Sequence, residues 1–107
     1  MARVTVCKVE EVPAGAALCK RLPDGLRIAV APLKGHGAGF VAFEHRCPHA
    51  NGPIGEGAIK NGQIVCPWHF FRFDLATGKA AGMAQESVLQ LRLYPVVVER
   101  GEISIEV

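Results

Sequence analysis

Four residues on two short arms constrain this chain more than any other feature. One arm reads Cys47-Pro48-His49 and the other Cys66-Pro67-Trp68-His69, with sixteen residues between them. Each arm offers one thiolate and one imidazole, in a chain holding only four Cys and four His. A Cys and a His two or three residues apart, on a turn with Pro after the Cys, can point the same way. Two such turns facing each other can grip one small centre. The rest of the chain then has to be a scaffold that brings residues 47–49 and 66–69 together.

The scaffold reads as all-β. Val4 to Lys8 is β-branched and alternates, as a strand does. Pro23-Asp24-Gly25 lies between the apolar runs Ala17–Leu22 and Leu26–Ala31, which is a hairpin signal. Lys34 to Gly39 is glycine-rich and reads as a loop, and Phe40 to Glu44 is a strand running into the first arm. Asn51 to Gly57 is a further loop. Asn61-Gly62 separates Ala58–Lys60 from Gln63–Val65, and both turn positions tolerate positive φ, so a tight hairpin feeds the second arm. Phe71 to Leu75 leaves that arm as a strand, with Ala76–Gly78 as a turn. Leu89 to Glu99 is apolar and β-branched with an edge or bend at Pro95, and Arg100-Gly101 turns into a last strand over residues 102–107. No stretch has helical periodicity; Thr77, Gly78 and Gly82 limit residues 76–88 to a turn of helix at most. Short antiparallel strands of this kind form a small sandwich or barrel, closed by contacts between the first and last strands.

Length and charge narrow the function. The 107 residues make one domain, 1–107. A net charge of +2 with scattered Lys and Arg excludes nucleic acid as the expected partner. No apolar run reaches the roughly 18 residues that span a membrane. The stretch Met1 to Lys8 lacks the apolar core of a signal peptide, so a soluble, cytoplasmic protein is expected. In that reducing compartment the arm cysteines are expected to be ligands, not disulfides.

Two thiolates and two imidazoles suit zinc or a [2Fe–2S] cluster. Zinc modules usually pair like with like, as C-x2-4-C and H-x3-5-H, whereas each arm here mixes Cys with His. A cluster with both Cys on one iron and both His on the other needs each arm to reach both irons, and these arms do. Ligand type and spacing favour iron–sulfur over zinc, and zinc over a chance arrangement.

The pattern C-P-H, sixteen residues, C-P-W-H, then F-x-F-D-L-x-T-G resembles the Rieske iron–sulfur proteins. The motif runs from about Phe43 to Gly78, and the flanking strands extend the likeness over nearly the whole chain. Among the branches it is most similar to the small ferredoxins that serve ring-hydroxylating dioxygenases. That resemblance implies three stacked antiparallel sheets with a cluster-binding subdomain at about residues 45–75. It implies one Rieske [2Fe–2S] cluster, with Cys47 and Cys66 on the inner iron and His49 and His69 on the solvent-side iron. Neutral His ligands leave the oxidised cluster without net charge, so it accepts an electron more readily than one held by four thiolates. The implied role is that of an electron carrier, expected as a monomer, loaded by a reductase and unloaded by a terminal oxygenase. It has no catalytic site of its own: the 38 residues after His69 contain no His for a second, mononuclear iron. A small Rieske subunit of a nitrite-reductase type enzyme and a zinc-stapled interaction module are the alternatives.

Departures from the family sharpen the expectation. The high-potential respiratory branch has a further Cys in each arm, joined as a disulfide; Gly52 and Trp68 stand there in this chain. It also has hydroxyl donors where this chain has Phe71 and Phe73. Phenylalanine has no donor for a cluster sulfur. Donors to sulfur raise the potential by stabilising the reduced state, so a value of about −150 mV is expected rather than about +300 mV. Phe70 stands where the family often has Gly. Outside the arms, Cys7 and Cys19 are expected as buried or half-buried thiols. His36 and His45 are expected to face solvent. Asp74 is expected to serve a turn, Arg72 to pair with a carboxylate, and Glu10-Glu11 to lie in a loop. Pro48, Pro53, Trp68 and Phe70 read as packing around the cluster or as an apolar rim for a partner.

Overall fold

The computed structural model describes residues 3–35, 39–46, 53–67, 72–81 and 90–107. Eleven strands are described: β1 (Arg3–Lys8), β2 (Leu18–Arg21), β3 (Arg27–Pro32), β4 (Phe40–Glu44), β5 (Ile59–Lys60), β6 (Gln63–Val65), β7 (Arg72–Asp74), β8 (Ala80–Ala81), β9 (Leu93–Tyr94), β10 (Val96–Glu99) and β11 (Glu102–Glu106). They form three antiparallel sheets in the orders β1-β11-β10, β2-β3-β4-β9 and β5-β6-β7-β8. The all-β expectation and the three sheets implied by the resemblance are both met. Val9–Glu11 forms one turn of 3-10 helix instead of a plain loop. Its end is held by the Lys8 amide, which donates to the Glu11 carboxylate at 2.7 Å.

The turns follow from their residues. At Pro23-Asp24-Gly25 the Leu26 amide donates to Asp24 Oδ1 at 3.0 Å, and Gly25 takes a φ of +93° that a β-carbon would resist. Asn61 and Gly62 sit at φ 53° and 75°, the twin positive values of a two-residue turn that suits the twist of β5 and β6. Asp74 ends β7 as a turn residue: its Oδ1 accepts from the amides of Ala76 (2.8 Å) and Thr77 (3.3 Å). Pro95 is more than a bend. Leu93–Tyr94 pairs with β4 in the second sheet, and Val96–Glu99 pairs with β11 in the first. The single apolar run expected over Leu89–Glu99 is thus divided between two sheets at the residue that cannot donate to a ladder; Leu89 lies outside the described residues.

Two apolar clusters fill the spaces between sheets. Ile28, Val30, Ala42 and Tyr94 pack toward the first sheet with Cys7, Leu22, Ile103 and Ile105. Ala29, Ala31, Val41 and Phe43 pack toward the third sheet with Ile54, Ile64, Cys66, Phe73, Leu75 and Leu91. Successive residues of β3 serve opposite cores, so all of Ile28–Ala31 is buried. The middle sheet is therefore covered on both faces.

Candidate metal centre

Both arms follow strands whose middle residues are buried. β4 runs from the middle sheet toward the first arm. The hairpin of β5 and β6 leads into the second. Between the arms, Ile54–Glu56 forms a second turn of 3-10 helix with Ile54 fully buried. Gly57 follows that turn where a β-carbon would collide with the carbonyl oxygen of Val65. Only a glycine lets the stretch after the first arm lie this close to the strand that ends at Cys66.

Of the four expected ligands, Cys66 is described; Cys47, His49 and His69 lie outside the described residues. Gly52, Trp68, Phe70, Phe71, His36 and Pro48 also lie outside them. Among the described residues no three His, Cys, Asp or Glu side chains converge. Cys66 is wholly buried and packs with Ile54, Ile64, Phe73 and Leu75. Phe73, one of the two expected non-donors, thus shares an apolar cluster with Cys66. Directly after β6 and wholly buried, Cys66 fits one anchor of a thiolate-held iron centre.

Two expectations outside the arms need correction. Cys19 is exposed, because β2 is the edge strand of its sheet and no strand flanks it there. Burial of the side that faces the protein still pushes its thiol above the ordinary value, and Glu56 adds to this. Cys7 is buried, as expected. His45 does not simply face solvent. It is half-buried, its Nδ1 accepts from the Gly55 amide at 3.0 Å, and Cys19 Sγ lies 3.6 Å from the same nitrogen. Desolvation holds its pKa below the usual histidine value, opposed by Glu56. Arg72 pairs with no carboxylate among the described residues, while Arg46 pairs with Glu44 at 2.9 Å.

Sequence comparison decides the family. A model of the Rieske [2Fe-2S] domain matches residues 2–95. The chain belongs to the Rieske [2Fe-2S] domain family. This Rieske domain is 35% identical over 105 residues to the ferredoxin component of the p-cumate 2,3-dioxygenase system of Pseudomonas putida, covering 97% of this chain and 85% of that one. It is 39% identical over 109 residues to the 3-phenylpropionate/cinnamic acid dioxygenase ferredoxin subunit of Photorhabdus laumondii subsp. laumondii, covering 100% and 96%. Its fold superimposes on the Sphingomonas yanoikuyae B1 ferredoxin with a TM-score of 0.85, at 25% identity and 99% coverage of both chains. The Rieske [2Fe-2S] cofactor is therefore the group to be housed here. No helix among the described residues is long and apolar enough to cross a membrane.

Proposed function

We propose that this Rieske domain is a one-electron carrier that takes electrons from a reductase and passes them to a terminal oxygenase, such as an aromatic-ring dioxygenase. The observation that carries the reading is the likeness, over almost the full length of both partners, to ferredoxin components of dioxygenase systems. The chain acts as a single domain, 1–107, monomeric and cytoplasmic, with the cluster region at about residues 45–75, and it performs no catalysis alone.

Cys47 and Cys66 would hold one iron of the cluster and His49 and His69 the other. Bound there, the cluster supplies reversible one-electron transfer. The protein's own residues do the rest. β4 and the β5–β6 hairpin fix the arm bases, and the buried setting of Cys66 excludes water from its sulfur. Phe73 fills space beside Cys66 without offering a hydrogen bond, which supports a potential near about −150 mV. His49 and His69 would be the ligands through which electrons enter and leave.

Electron paramagnetic resonance of the reduced protein tests the cofactor: a Rieske spectrum is expected, and silence with stoichiometric zinc in a colourless protein would defeat the reading. Cys66→Ala is expected to abolish the red-brown colour; retention of a full complement of iron would remove Cys66 from the ligand set. Voltammetry returning a strongly positive value would refute the low potential. Turnover of a dioxygenase reconstituted with its reductase, with and without this chain, tests the carrier role.

A further inference from the structure

The first arm lies between two residues that touch. His45 stands at the end of β4, and Gly55 lies within the 3-10 turn Ile54–Glu56. The Gly55 amide donates to His45 Nδ1 at 3.0 Å. A backbone amide can only donate, so Nδ1 carries no proton and the ring proton sits on Nε2. Cys19, on the edge strand β2 one strand beyond β3, brings its Sγ to 3.6 Å from the same Nδ1. Space is fitted to this contact as well. A β-carbon at Gly55 would run into His45 Nδ1 and Cys19 Sγ and would press on the Ala29 β-carbon at 3.0 Å. Three separate stretches therefore meet at one imidazole nitrogen, and glycine is the residue that lets them meet.

The positions of the two partners give the contact a consequence. The contact joins the chain on either side of residues 46–54, the stretch that carries both Cys47 and His49. Both partners are also held by backbone hydrogen bonds: the His45 amide donates to the Arg27 carbonyl at 3.0 Å, and the Glu56 and Gly57 amides donate to Pro53 and Ile54 carbonyls at 3.0 Å each. A loop closed at its base samples fewer conformations than an open one. Ligands on a closed loop are held nearer their bound geometry before the metal arrives, so less order is lost on binding.

We propose that His45 is a positioning residue for the first cluster arm, acting as a hydrogen-bond acceptor at Nδ1 that locks the arm's two ends together through Gly55, with Cys19 packed behind it. The proposal rests on the carrier reading only in taking Cys47 and His49 as ligands. Its content is the choice of atom: an acceptor at the Nδ1 position is required, and an imidazole is not.

Two substitutions separate the acceptor from mere bulk. Asparagine places Oδ1 the same number of bonds from the backbone as Nδ1, whereas leucine places a methyl group there. The iron-loaded wild type, His45→Leu and His45→Asn are compared in two measurements. One is the half-life of the visible absorbance in excess EDTA. The other is hydrogen exchange over residues 53–57, followed by mass spectrometry. His45→Leu is expected to shorten the half-life and speed the exchange, each about five-fold, the factor equivalent to one net hydrogen bond. His45→Asn is expected to stay within about two-fold of wild type in both, since it keeps the acceptor. Wild-type behaviour of His45→Leu in either measurement overturns the proposal, and so does a His45→Asn protein as impaired as His45→Leu. Should His45→Leu fail to fold, His45→Asn decides by the same limits. A wild-type protein that purifies without iron defeats the carrier reading instead; the exchange measurement then still decides whether His45 locks the loop.

Discussion

Cys7 shows how one side chain ties stability to pH. It is buried between the first and second sheets. Burial pushes its thiol above the ordinary 9.0, Glu11 pushes the same way, and Lys20 opposes both. In the unfolded chain the thiol ionises near 9, while in the fold it ionises only at higher pH. Above that pH the unfolded chain binds fewer protons, so stability falls as pH rises. Cys7→Ala removes this contribution. Urea denaturation should show the variant less stable than wild type at pH 8, with the gap narrowing by pH 10.5; a constant gap would mean that Cys7 does not titrate differently on folding. Gly57 is governed by space, not by charge. A methyl group there has only the Val65 carbonyl oxygen to enter. Gly57→Ala should cost about 3 kcal/mol through forced backbone movement, read as a large drop in the thermal midpoint. The sequence marked residue 57 as part of a loop, but nothing in a loop composition reveals which carbonyl lies against it.

At the scale of elements, the hairpin of β2 and β3 holds a charge conflict. Arg21 and Arg27 face each other directly across the pair. Neither forms an ion pair with a carboxylate among the described residues. Like charges directly opposite are unfavourable by a few tenths of a kcal/mol, and opposite charges are favourable by about 0.2–1 kcal/mol. Arg21→Glu should therefore raise stability by up to about 1 kcal/mol, with most of the gain lost in 1 M salt. Denaturation at low and high salt checks both parts. The hairpin itself was legible from Pro23-Asp24-Gly25, because turn residues act locally. The strand at Ala80–Ala81 was not, since two alanines carry no β signal and that strand exists only by pairing with β7. The same holds for the division at Pro95. Proline announced a break, yet which sheet each half would join depends on β4 and β11, distant in sequence.

For the whole molecule, the middle sheet is the shared wall of two cores. Phe43 and Ala29 belong to one, and Ile28, Val30 and Ala42 to the other. The two outer sheets are held together through it. The outer edges are pinned only lightly, by exposed pairs such as Arg3 with Glu99 at 3.3 Å. Amides of β3 and β4 should consequently be the slowest to exchange with solvent, and those of β5 and β8 should exchange sooner. Native-state hydrogen exchange resolved by peptide tests this ordering; protection greatest in β5 or β8 would contradict it.

The sequence by itself determined the chemistry and the class. Two mixed Cys/His arms offer two thiolates and two imidazoles, and which atoms a side chain can offer needs no coordinates. Alternating strands and Asn-Gly or Pro-Asp-Gly turns act over a few residues, so an all-β chain could be expected from them, and three sheets from the resemblance. What only the tertiary structure decided are the contacts between stretches far apart in sequence. It buried Cys66 beside Phe73, brought Val65 against Gly57, and left Cys19 at an open edge. It also turned His45 from an expected surface residue into the acceptor that joins the ends of the first arm. Each of these depends on how the sheets stack, and stacking is set by the summed burial of many side chains, which local sequence does not encode.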